Sequence, residues 1–133
     1  MARNPRRWAN AEKQLIAWIS AYSGRPVYSS TPDNLAAVVP AYKVARVGGA
    51  GREELDKDID LEVETFVATR GTLWDAVAVI ETAMDALRAN GTAAWYVDEV
   101  QEVFGHALDE GYENPDIVKA TATYRVTLRP QPN

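Results

Sequence analysis

Two long stretches of this chain alternate apolar and polar residues one by one. In the first, Ile59, Leu61, Val63, Thr65 and Val67 oppose an acidic row of Asp58, Asp60, Glu62 and Glu64. In the second, Val118, Ala120, Ala122, Tyr124, Val126 and Leu128 oppose Lys119, Thr121, Thr123, Arg125 and Thr127. Successive strand side chains point to opposite faces, so both read as half-buried β-strands, over 58–67 and 117–128. The period then changes. Trp8, Leu15, Ile19 and Tyr22 recur at helical spacing behind Asn4-Pro5, a cap residue followed by proline at the first helical position, with Gly24 as the stop. This predicts a helix over 5–22. Leu73, Val77, Ile80, Met84 and Leu87 form a second apolar stripe, opened by Thr72 with Asp75 in a capping-box manner and ended by Asn90-Gly91.

Shorter elements fill the gaps. Residues 27–29 suit a short strand, and Thr31-Pro32 is a cap with proline that opens a helical turn over 35–38, closed by Pro40. Residues 42–47 read as a strand broken by Gly48-Gly49-Ala50-Gly51. Residues 93–104 alternate around Trp95, Val97 and Val103 and read as a strand, while Asp98, Glu99, Gln101 and Glu102 leave a helix open for its second half. Residues 105–115 are expected to be a loop. The predicted fold class is α+β: a largely antiparallel or mixed β-sheet with two main helices on one face and a long loop between two central strands, in one domain over 1–133.

Composition narrows the chemistry. A chain of 133 residues with 47% hydrophobic and 25% charged residues can bury one core. The absence of cysteine removes disulfides, thiolate metal sites and cysteine nucleophiles. No apolar run reaches the ~20 residues that cross a bilayer, and Arg3, Arg6 and Arg7 are followed by polar residues rather than by an apolar signal core, so neither a membrane span nor a secretory signal is expected. The net charge of -5 disfavours tight binding of phosphates, although an acidic wall can surround DNA without gripping it.

No catalytic constellation stands out. His106 is the single histidine, with Asp109 and Glu110 near it in sequence, and in a polar loop it reads as a surface residue. The 48–51 glycines lack the Lys-Ser/Thr and following helix of a phosphate loop, and Arg52, Glu53 and Glu54 come next, so residues 48–57 read as a long hairpin loop. The acidic row places carboxylates about 7 Å apart along a strand, a flat arrangement without the cage that calcium or magnesium takes. It reads either as a solvated sheet face or as a partner or channel surface. Trp74, Trp95, Tyr96 and Tyr112 flank apolar segments, as core-edge or interface aromatics do.

Three segments carry a family resemblance: Pro40-Ala41-Tyr42-Lys43-Val44-Ala45-Arg46-Val47-Gly48-Gly49; Asp60-Leu61-Glu62-Val63-Glu64-Thr65-Phe66-Val67-Ala68; and Tyr112-Glu113-Asn114-Pro115-Asp116-Ile117 running into Ala122-Thr123-Tyr124-Arg125-Val126-Thr127-Leu128. In this order, with the amphipathic first helix, the chain resembles the tail terminator proteins of long-tailed phages infecting actinobacteria. The resemblance implies a non-enzymatic virion protein without cofactor or metal, assembled in the host cytoplasm as a homo-hexameric ring. Such a ring caps the tail tube and offers a docking surface to the head-to-tail stopper or connector, while DNA passes through its lumen unbound. Gly48, Gly49, Gly51, Arg52, Glu53, Glu54 and Lys57 would then form a tube- or neighbour-contact loop. Asp58, Asp60, Glu62 and Glu64 would be a lumen or interface row, and Lys119 and Arg125 an interface row. The acidic and basic rows either attract across a subunit interface or pair within one sheet. Another neck protein, such as a head-completion or stopper protein, and a small ligand-binding or enzymatic domain using His106 are the alternatives.

Overall fold

The structure, a computed structural model, describes residues 8–49, 57–88, 90–91 and 95–130. Its elements in chain order are α1 (Ala11–Ser23), β1 (Val27–Tyr28), α2 (Leu35–Val38), β2 (Ala41–Gly48), β3 (Lys57–Val67), α3 (Arg70–Leu87), β4 (Asn90–Gly91), β5 (Tyr96–Leu108) and β6 (Val118–Leu128). The strands form one six-stranded sheet in the order β1-β2-β3-β6-β5-β4. Only β1 and β2 run parallel, and every other neighbouring pair is antiparallel. The last strand is thus inserted between β3 and β5, in the middle of the sheet.

The alternation places the core. Ile59 faces Val126, Leu61 faces Tyr124 and Val63 faces Ala122 across the β3–β6 ladder, so both apolar rows share one face. Leu15 and Ile19 of α1 and Leu73, Val77, Ile80, Met84 and Leu87 of α3 cover that face in one continuous buried cluster. Both main helices therefore lie on the same side, as an α+β fold with one apolar stripe per helix requires. Two hydrogen bonds fasten α3 to its neighbours. The Trp18 indole N–H donates to the Ala83 carbonyl at 2.8 Å, joining α1 to α3, and the Tyr42 hydroxyl donates to the Ala76 carbonyl at 2.9 Å, joining β2 to α3. Burial raises the Tyr42 phenol above its ordinary value, with Arg25 opposing the shift.

Several local expectations are corrected. Helix α1 begins at Ala11, not at residue 5, because the Asn10 carboxamide accepts a 3.1 Å bond from the Lys13 N–H and fixes the first turn there. Asn4-Pro5 lies outside the described residues. The left-handed Gly24 closes the helix as expected. Helix α2 spans Leu35–Val38 as expected, with Asn34 rather than Thr31 in the cap position. At α3 the cap position is Thr69, while Thr72 sits in the first turn with its hydroxyl donating to the Thr69 carbonyl at 3.0 Å. The helix ends at Leu87, and Asn90–Gly91 pairs with β5 instead of forming the stop.

The largest correction concerns β5. One strand runs to Leu108, replacing both the helical alternative at 98–104 and the start of the loop expected at 105–115. Its register against β6 slips three times, between Val97 and Glu99, Glu102 and Phe104, and Phe104 and Ala107. Each slip inserts unpaired residues and breaks the alternation, which is why the segment does not read as a clean strand.

Candidate functional site

The face of the sheet opposite the helices carries both charged rows. Strand pairing sets Asp58 against Thr127, Asp60 against Arg125, Glu62 against Thr123 and Glu64 against Thr121. Of the two arrangements open from sequence, the rows are neighbours within one sheet. Arg125 grips Asp60 through two bonds, Nε to Oδ1 at 2.8 Å and Nη2 to Oδ2 at 3.1 Å, and Asp60 holds the guanidinium further above its ordinary value. The Thr127 hydroxyl donates to Asp58 at 2.8 Å. Lys119 lies 2.9 Å from one Glu64 oxygen, and Lys43 lies 3.5 Å from the other. Burial works against the charge on Lys119, but the hydrogen bond and charge of Glu64, aided by Asp109, outweigh it and raise the ammonium above its ordinary value.

Glu64 departs from a solvated row, since only 7% of it is exposed. The reason is a second, smaller core on this face. Leu35, Ala41, Phe66 and Ile117 are buried together, with Tyr28, Val38, Val39 and Tyr112 packed around them. This cluster covers the end of the sheet near Glu64, where the Lys119 ammonium also lies 4.9 Å from the centre of the Tyr112 ring. Phe66 is the sequence signal for it, an apolar residue at the end of an otherwise acidic row. The rest of the face is open.

Among the described residues the Glu62 side chain has no ion pair or hydrogen bond, unlike those of its three neighbours in the row. In the same cross-strand row, Thr123 sits beside Glu62 and Phe104 beside Thr123, with Ala45 on the other side. Phe104 is 69% exposed.

At the hairpin, Gly48 belongs to β2 and Lys57 to β3, so the connection is shorter than 48–57, and Gly51, Arg52, Glu53 and Glu54 lie outside the described residues. Gly49 has φ of 142° and packs so closely on β3 that an added Cβ would collide with the Asp58 carbonyl oxygen and lie 2.9 Å from the Ile59 Cα. Glycine is therefore required where the chain leaves β2.

His106 does not lie in a surface loop. It is part of β5 on the helix side of the sheet, half-buried, with Nε2 2.6 Å from the Tyr124 hydroxyl, which is also 3.4 Å from Glu102. Burial lowers the imidazole below its ordinary value, while Glu81 and Glu102 pull the other way; burial and then Glu102 and Glu81 raise the Tyr124 phenol. The acidic row is on the opposite face, so the sheet separates His106 from the carboxylates an enzymatic reading would pair with it. Among the described residues no group of three His, Asp or Glu side chains is placed to hold a metal ion, and no helix is long and apolar enough to cross a membrane.

With this geometry in place, comparison with known proteins gives one kind of relationship. The fold recurs in a virion. A solved chain from the virion of a native gene transfer agent particle superposes with a TM-score of 0.52 at 13% identity, over 90% of this chain and 90% of that one. No protein-family model matches, and no curated protein matches in sequence. At this identity the shared property is the fold. The three segments behind the sequence resemblance form β2, β3 and β6 with the turn before β6, three adjacent strands of this sheet.

Proposed function

We propose that this chain is a structural virion protein of the tail terminator type. In this reading copies of it, six per ring, close the end of the tail tube and present a docking surface to the head-to-tail stopper or connector. DNA passes through the lumen without specific binding, and the protein resides in the neck of the virion after assembly in the host cytoplasm. It acts by assembly rather than catalysis, with itself, the major tail tube protein and the connector as partners. The observation that carries this reading is a fold shared with a virion chain over nine-tenths of both chains. The acidic balance of -5 supports it, because a lumen of like charge lets phosphates slide.

Mass photometry and negative-stain imaging of the purified chain, alone and mixed with tail tube protein, test the reading. Six-copy rings are expected, and monomers under both conditions overturn it. Replacing residues 50–56 by a short Gly-Ser turn, with Gly49 and Lys57 kept, should change stability by less than about 1 kcal/mol, since loop-closure entropy varies slowly with length. The yield of infectious particles should nonetheless fall. An unchanged yield removes the loop from tube or neighbour contact.

A further inference from the structure

The open part of the sheet face has a counterpart on the other side of the same molecule. Arg70, Trp74 and Ala78 recur every four residues along α3 and are exposed, so they share one outward face of the helix. Trp74 is 48% exposed, and Arg70 has no ion pair among the described residues. Next to Ala78, a shallow groove of about 330 Å³ is lined by Tyr22, Ser23, Ala78, Val79 and Thr82, between the end of α1 and the middle of α3. One face of the domain thus offers an exposed aromatic knob, Phe104, beside an unanswered carboxylate, Glu62. The other offers a small apolar groove beside an unanswered guanidinium.

The spacings agree. Phe104 and Glu62 belong to one cross-strand row two strands apart, or about 10 Å at the ~4.8 Å strand separation. Ala78 and Arg70 are eight helical residues apart, or about 12 Å at 1.5 Å per residue. A helix laid across the strands could seat the aromatic ring and pair the charges at the same time.

We infer that the outer face of α3 in a second copy of this chain docks on the open sheet face, with Phe104 entering the Tyr22–Ala78–Val79 groove and Glu62 meeting Arg70. One copy uses its sheet side and the next its helix side, so the contact is head-to-tail and leaves both outer copies able to recruit another. It propagates until rotation closes it. The inference rests on the ring reading and supplies the subunit contact for it. The contact also accounts for three features that the isolated fold leaves idle: a bulky aromatic in water, an exposed indole, and the single unpaired member of the acidic row.

The lack of cysteine makes the test direct. The double variant Asp75→Cys/Gln101→Cys, two exposed positions that flank the contact without taking part in it, treated with a short bismaleimide, should give a ladder of covalent oligomers, whereas either single variant should stop at a dimer or show none. In that background Glu62→Arg or Arg70→Glu should abolish the ladder, and the two together should restore it; circular dichroism matching the parent establishes that all are folded. Native rings without a ladder overturn this contact and leave the ring reading standing. A ladder with only open chains or dimers in native mass measurements upholds the contact and overturns the closed ring. Monomers with no ladder overturn both. A ladder insensitive to the charge changes overturns the Glu62–Arg70 pairing.

Discussion

The two faces of the sheet are built from the same strands on different terms. On the helix side, β3 and β6 contribute matched apolar rows that α1 and α3 cover almost completely, with Leu15, Ile19, Leu61, Leu73, Ile80 and Leu87 at 0% exposure. On the other side the same strands present charges, and burial is confined to the end held by Phe66 and Ile117. Away from that small core, the β3 row passes from the buried ion pair of Glu64 to the unpaired Glu62, in whose cross-strand row Phe104 lies, and then to the half-buried Asp60–Arg125 pair. The contrast separates what holds the fold together from what is left over for partners.

The sharpest way to break the helix side is Tyr124→Asp. It places a carboxylate in the main core beside Glu102, and the expected loss of about 4 kcal/mol or more would leave the domain largely unfolded at ordinary temperature; a chemical denaturation curve like the parent's would refute the assignment. Phe66→Ala attacks the smaller core. It should cost about 3–4 kcal/mol, the range for truncating a buried aromatic, while near-parental far-ultraviolet dichroism shows the larger core intact. A loss as severe as that of Tyr124→Asp would mean the two cores do not differ in rank.

Next in size is Lys119→Met, which removes the nearer of the two cations beside the buried Glu64. Lys43 remains at 3.5 Å, so the expected cost is about 1–3 kcal/mol rather than that of an isolated buried charge. If the variant is as stable as the parent, the ion pair contributes position rather than stability.

The smallest effect is a pH dependence. The His106 imidazole is held below its ordinary value in the fold, so the unfolded chain binds the proton more readily. Its neutral form contributes stability that is fully present above the unfolded value of 6.5 and is lost as pH falls through that value towards the folded one. Between about pH 7.5 and about pH 5.5 the parent should therefore lose more melting temperature than His106→Gln, which keeps a polar group near Tyr124 and does not titrate. Equal losses would show that Glu81 and Glu102 cancel the effect of burial.

Much of this was legible in the sequence because period and burial coincide where one face alone is covered. The alternation over 58–67 and 118–128 places both central strands, and the Leu73 to Leu87 stripe places α3. What escaped had a physical reason in each case. A helix cap is chosen by a single side-chain bond, so Asn10 took the role assigned to Asn4. The three register slips of β5 disguise a strand as a mixed segment followed by a loop, and with it hid that His106 faces inward. The acidic row was visible, but its partners were not, because pairing between β3 and β6 spans more than fifty residues of chain and depends on β6 being inserted between β3 and β5. The small core beneath Glu64 was foreshadowed only by Phe66.

The slipped register of β5 has a consequence for solubility. A long, flat outer strand is a template on which other chains can add strands without limit, and a crowded assembly line of identical subunits is where such growth would be most damaging. Repeated bulges bend and twist a strand so that its backbone groups no longer present a regular ladder. On the other flank, the Glu12 carboxylate occupies the Arg46 N–H at 2.9 Å and β1 pairs with Tyr42 and Lys43. With both flanks guarded against strand addition, the subunit contacts of the proposed ring would fall to the faces of the domain, where geometry sets when growth stops.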